Sequence, residues 1–251
     1  LNIEKLLGVV ADIGALMLES GAETFQVEQT INRICRAFGV KQVESFALPT
    51  GIMITIVEQE GESRTMIRRV SNRSVDLAQV SKLINIAYQV REIETVEDLA
   101  ESVNDIKAQK KYNPLLISFF SSITAGFFAL FFGGSLEEFF IALLAGATVR
   151  ALISGFERMQ VYRFFTNMVG AIAVSFIAFI AGLWIDSLKT DVVIAGSIML
   201  LVPGLVLVNS IRDIIAGDLA AGVTRLVEAV MLAGGIAIGT GIVLRVWMLM
   251  S

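Results

Sequence analysis

The rhythm of apolar and polar positions changes twice along this chain. Residues 2–19 carry Ile3, Leu6, Leu7, Val10, Ile13 and Met17 at helical spacing, with Glu4, Lys5 and Asp12 off that stripe, which predicts a helix. Ser20-Gly-Ala-Glu23 reads as a capping box, the serine hydroxyl accepting from the Glu23 amide and the glutamate reaching back. It opens a second helix to Phe38, with Val27, Ile31, Ile34 and Phe38 on one face and Gly39 at its C-terminal cap. Over 42–70 the period becomes two. Ile52, Ile54 and Ile56 alternate with Met53, Thr55 and Val57, flanked by weaker strands at Val43–Leu48 and Arg64–Val70. Pro49-Thr50-Gly51 and Glu60-Gly61-Glu62 are the turns between them. A helix over about 75–90 follows, and Thr95-Val-Glu-Asp98 caps another to about Gln109. The order α-α-β-β-β-α-α predicts an α+β domain over residues 1–112.

From Pro114 the polar face disappears. Apolar stretches lie at about 114–132, 139–156, 164–185, 192–211 and 226–249, each near the roughly 20 residues that cross a bilayer. Gly126, Gly146, Gly170, Gly182 and Gly196 let such helices approach closely. The fold expected is a membrane protein: a cytoplasmic α+β N-terminal domain, then a transmembrane domain over 113–251 of about five helices. Lys107, Lys110, Lys111, Arg158, Arg163, Arg212 and Arg225 fall on one side, Lys189 and Arg245 on the other. The positive-inside rule then puts the N-terminal domain in the cytoplasm and the C-terminus outside. Arg245 opposes this assignment, and the acidic Glu137-Glu138 loop favours it.

Composition agrees. A mean hydropathy of +0.73 lies above the soluble range. Of the 44 charged residues, 29 fall before Pro114. The net charge of −4 gives no support for nucleic-acid binding. There is no histidine, which excludes a Ser-His-Asp triad, a Cys-His pair and a His-rich zinc site; no metal site or cofactor is expected. Cys35 is the single cysteine and, beside Ile34 and Phe38, reads as a buried, inert thiol. No GxxxxGK[ST] run appears, so the chain does not drive transport with ATP by itself. No signal peptide is visible, and because the chain starts at Leu1 the natural N-terminus is expected upstream.

The candidate chemistry sits where a bilayer tolerates it least. Between 201 and 228 the apolar half carries Pro203-Gly204, Asn209, Arg212, Asp213, Asp218, Arg225 and Glu228. Ionisable groups at membrane depth cost about 2.5–3.5 kcal/mol each on insertion scales and so mark a pathway or site. Pro203 lacks an amide hydrogen and crowds the Met199 carbonyl, so with Gly204 it can open the fourth helix and free carbonyls for a ligand. Asn209 and Asp213 share a face; Gly217 breaks the chain; Asp218 suits the start of the next helix; Arg225 and Glu228 can pair. The plainer reading is a kinked helix and a capped cytoplasmic loop. Arg150 is a further candidate, as anion partner or as a snorkelling arginine. In the first half, Glu19, Glu23 and Glu28 read as caps and a solvated face or as a binding site. Arg64, Arg68, Arg69 and Arg73 read as a solvated edge or as a contact for a membrane surface or anion.

Four blocks together resemble the threonine/serine exporter family. They are Glu19-Ser-Gly-Ala-Glu-Thr-Phe-Gln-Val-Glu28 with Arg33-Ile-Cys-Arg-Ala-Phe-Gly39; Leu48-Pro-Thr-Gly-Ile52; Arg68-Arg-Val-Ser-Asn-Arg73; and Val202-Pro-Gly-Leu-Val-Leu-Val-Asn209 with Arg212-Asp213, Gly217-Asp218, Gly222 and Arg225. The resemblance covers nearly the whole chain and rests on the order of the blocks. It implies Glu19, Gly21, Glu23, Glu28, Pro49, Thr50, Gly51 and Arg69 as motif positions of the N-terminal domain. It also implies a multi-pass exporter of the bacterial inner membrane, without enzymatic activity, for threonine and serine or, in split two-subunit members, for succinate. It further implies the larger subunit of the split form, with a small membrane partner subunit, a homo-oligomer, or both. A membrane-anchored enzyme and a regulatory subunit are the readings from other classes.

Overall fold

The computed structural model describes residues 2–58, 61–71, 74–109 and 112–250. Glu60, Arg73, Lys110 and Lys111, named above, lie outside the described residues. The chain forms two compact units. One comprises the N-terminal region with residues 205–227; the other comprises 111–204 with 228–251.

The first unit begins with α1 (Ile3–Glu19) and α2 (Thr24–Ala37), then a three-stranded antiparallel sheet, β1 (Gln42–Leu48), β2 (Gly51–Val57) and β3 (Ser63–Arg69), in the order β1-β2-β3. α3 (Leu77–Gln89), a 3-10 turn at Val90–Glu92 and α4 (Val96–Ala108) complete its N-terminal part. The alternation read from the sequence buries Ile52, Ile54 and Ile56 of β2 against Leu6, Val10, Ile13 and Met17 of α1 and Ile31 and Ile34 of α2. The opposite face shows Phe46, Met53 and Ile67, which stand in register across the three strands and are all exposed. Cys35 is fully buried, and that burial pushes its thiol up to about 12, so it is inert as expected.

The capping box expected at Thr95 and Asp98 is present, with both reciprocal bonds. The one expected at Ser20 and Glu23 is not. Ser20 caps the end of α1, and its hydroxyl reaches Leu16 O at 2.7 Å and Gln79 Oε1 at 2.6 Å. The N-cap of α2 is Glu23, without a side-chain cap bond. The reason is Gly21, whose φ of +92° closes α1 one residue after Ser20 and hands the serine to the preceding helix.

The second unit is helical: α5 (Pro114–Phe131), α6 (Leu136–Arg158), α7 (Arg163–Gly182), α8 (Thr190–Ile198) and the distal part of α10 (Leu219–Met250). Four helices among the described residues are long and apolar enough to cross a membrane: α5, α6, α7 and α10. The stretch expected as a fourth span, 192–211, is not one helix. It is α8, a break at 199–203, and α9 (Gly204–Ala216). Pro203 offers no N–H to continue α8, which instead ends in tight bonds such as Leu201 N to Ile198 O at 2.8 Å. Small residues set the contacts between helices. A Cβ on Gly196 would lie 2.6 Å from the Ala129 amide nitrogen, and one on Gly146 2.7 Å from Ala125 Cβ. At one end, buried Glu138 accepts from Ser135 N–H and Ser135 Oγ and, at 2.8 Å, from Lys189 N–H, joining two loops.

Candidate functional site

The α1–α2 turn and the polar run of α9 and α10 form one centre inside the first unit. Four successive residues are each held by a different side chain. Asn209 Nδ2 donates to Gly21 O at 3.0 Å, and an Arg225 terminal nitrogen donates to Ala22 O at 2.7 Å. Arg212 pairs with the Glu23 carboxylate at 2.5 Å. The Thr24 hydroxyl lies 2.9 Å from Asp213 Oδ1 and 3.2 Å from Asp218 Oδ2.

Each local element follows from the sequence. Asn209 and Asp213 are one helical turn apart on α9 and are both buried. Gly217, at φ +97°, ends α9; Asp218 N–H then returns to Asp213 O at 2.9 Å, and Asp218 immediately precedes α10. Gly222 lets α10 close on α9, since a Cβ there would lie 2.5 Å from Ile214 Cγ1. Gly21 presents its carbonyl from a backbone conformation that residues with side chains rarely adopt.

Asp213 is 1% exposed and Arg225 7%, and Arg225 Nε lies 3.0 Å from Asp213 Oδ2. Such a pair is costly to leave half-made. The Thr24 hydroxyl has one proton and two carboxylates within reach, so it either shares that proton or accepts one from a protonated acid. Glu28, one turn along α2 from Thr24, feels the same charges. Burial raises its pKa, Asp218 and Asp213 add to the rise, and a 2.8 Å bond from Ala47 N–H opposes it. Glu19 is also raised by burial, with Lys107 opposing.

The remaining expected residues lie elsewhere. Pro49 and Thr50 form the β1–β2 turn; Gly51 pairs with Arg69 across the β2–β3 ladder, and Arg69 is exposed. Arg64 pairs with Glu58 at 2.8 Å and Arg68 with Asp12 at 3.2 Å, so much of the basic run is neutralised within the unit. Pro203, Gly204, Arg150 and Glu228 belong to the second unit. There the broken segment is held by a residue not singled out from the sequence. Buried Asn167 of α7 donates from Nδ2 to Leu201 O at 3.1 Å and to Leu232 O at 3.4 Å. Among the described residues Arg150 Nε and the hydroxyls of Ser175 and Ser197 are buried without a hydrogen-bond partner. Asn167 carried a signal, a lone amide in an apolar helix; Thr24 carried none, since a threonine at a helix start is ordinary. Among the described residues no group of acids, cysteines or histidines is arranged to hold a metal ion.

Four helices long and apolar enough to cross a bilayer are the mark of a polytopic membrane protein. Residues 8–247 match the family described as "Putative threonine/serine exporter", and the chain belongs to that family, which is one of transporters. It is similar to the "Probable succinate transporter subunit YjjP" of Klebsiella aerogenes, 26% identical over 240 residues, covering 92% of this chain and 90% of the relative. It is similar to the "Probable threonine/serine exporter" of Mycobacterium tuberculosis, 24% identical over 250 residues, covering 98% of this chain and 47% of the relative. The "Threonine/serine exporter" of Corynebacterium glutamicum is 25% identical over 257 residues, covering 96% of this chain and 51% of the relative. The chain thus spans about half the length of the last two. No solved structure matches.

Proposed function

We propose that this chain is a subunit of a secondary transporter that exports threonine and serine across the bacterial inner membrane. Its N-terminal domain is cytoplasmic, its C-terminus is outside, and it acts with a small membrane partner subunit, as a homo-oligomer, or both. The observation that carries this reading is the break at 199–203 in otherwise apolar sequence, stapled by Asn167 at Leu201 O. Such breaks supply carbonyls and polar side chains to substrates at membrane depth. In this reading Arg150 is the partner of a substrate carboxylate. The membrane layout is five spans, with residues 192–211 as the fourth. The partner is supported by the Klebsiella relative, which is named a subunit and is 90% covered by this chain.

In this mechanism the centre around Asp213 couples transport to protons. Protonating Asp213 weakens its attraction to Arg225 and turns its contact with Thr24 from accepting to donating, which loosens the hold of α9 and α10 on the α1–α2 turn. Deprotonation restores it. Arg212 and Glu23 add an outer ion pair that is partly solvated and contributes little.

A dicarboxylate is the second reading. It is favoured by the name of the Klebsiella relative. Efflux of labelled threonine and labelled succinate from preloaded vesicles decides between them, measured for this chain alone and with its partner. Threonine efflux supports the proposal, succinate efflux alone moves it to the second reading, and no efflux of either overturns both.

A further inference from the structure

The first unit holds a cleft of about 720 Å³ that the transport reading does not use. Its floor is one face of α2, where Phe25, Glu28, Arg33 and Arg36 recur at helical spacing, and its other wall is the end of α3 with the 3-10 turn, carrying Tyr88 and Arg91. Its size is that of a small-molecule site. The Arg33 guanidinium lies over the Tyr88 ring, 3.9 Å from its centroid, which fixes one arginine in place. Arg36 and Arg91 are exposed and make no ion pair among the described residues. Asn32 Oδ1 is buried beside them without a hydrogen-bond partner. The one acid on the wall, Glu28, has an oxygen occupied by Ala47 N–H. Three guanidiniums against one partly engaged carboxylate make a cleft for anions, and Phe25, 54% exposed, offers it an apolar surface.

We propose that this cleft binds a small organic polyanion carrying phosphate or carboxylate groups, gripped by Arg33, Arg36 and Arg91, and that its occupancy tunes the transporter. The connection is α2 itself. The same helix presents Arg33 and Arg36 to the cleft and Thr24 to Asp213 and Asp218, with Glu28 between them. A ligand that draws on the arginines shifts α2 and with it the threonine that holds the two acids. The site stands apart from the transported solute, so its binding is read without any flux.

The test is calorimetric titration of the purified full-length protein in detergent with ATP, pyrophosphate, succinate and, as a control without net charge, threonine. Binding of ATP and pyrophosphate assigns a phosphate ligand and binding of succinate alone a carboxylate; either supports the proposal where the cleft variants weaken it. Arg36→Gln and Arg91→Gln each weaken binding about tenfold, as expected for losing a charge-assisted bond. Glu28→Gln tightens it, a sign that a merely structural role does not produce. Arg64→Gln, outside the cleft, leaves it unchanged. No binding of any polyanion, or equal affinity in the Arg36 and Arg91 variants, overturns the proposal.

Discussion

The Thr24 hydroxyl meets Asp213 Oδ1 at 2.9 Å, joining positions 189 residues apart. The contact brings a short turn near the N-terminus and a polar run from the apolar half of the chain into one cluster. Thr24→Val keeps the shape and removes the hydroxyl, leaving Asp213 short of a partner at a cost of about 1–3 kcal/mol. Efflux is expected to fall about tenfold or more, while Thr24→Ser retains most of it. Equal efflux in the valine and serine variants would remove the hydroxyl from the mechanism.

The buried Asp213–Arg225 pair gives a second prediction. Arg225→Met leaves Asp213 buried without its counter-ion, and breaking such a pair costs about 3–5 kcal/mol. The double variant Asp213→Asn with Arg225→Met is expected to be more stable than Arg225→Met alone. Thermal unfolding of the four proteins in detergent measures the coupling. Additive losses would mean that the two charges do not depend on each other.

Glu28 carries a pH signature. Its folded pKa is raised by burial and by Asp218 and Asp213. A carboxyl raised on folding favours the folded state while protonated and opposes it once ionised. Its contribution therefore falls as pH climbs from the ordinary glutamate value of 4.5 through the raised one. Glu28→Gln removes that dependence and keeps an acceptor for Ala47 N–H. The variant's melting temperature at pH 7 is expected at or above the parent's, with a flatter profile below neutrality. A lower value at pH 7 would show that the charge is stabilising.

Packing in the second unit makes a simpler prediction. A side chain at Gly196 meets the backbone of Ala129, which has no rotamer to escape into. Gly196→Val is expected to destabilise by about 1–3 kcal/mol. Gly155, with nothing within 4 Å of its added Cβ, is the control. Unfolding midpoints in detergent compare the two.

Most elements were legible because each obeys a single period. β2 alternates, α1 and α2 carry stripes, and the spans are long and apolar. The residues that escaped are those whose role depends on a distant partner. Ser20 looked like the start of α2, and only the left-handed Gly21 gives it to α1. Arg225 was read against Glu228 three residues on, and no local spacing records that its side chain also reaches Asp213 and Ala22 O. The run 201–228 was readable as a polar cluster. That it closes on Gly21–Thr24 was not, because no local pattern records a contact across so much chain.

In the proposed mechanism Asp213 carries the coupling proton. The most direct measurement compares gradient-driven net efflux with solute exchange at equilibrium, in vesicles holding the parent chain or Asp213→Asn together with the partner. The account predicts that the variant loses net efflux and keeps exchange, since a carrier that cannot change its charge still cycles when loaded on both faces. Net efflux in Asp213→Asn equal to that of the parent would contradict it.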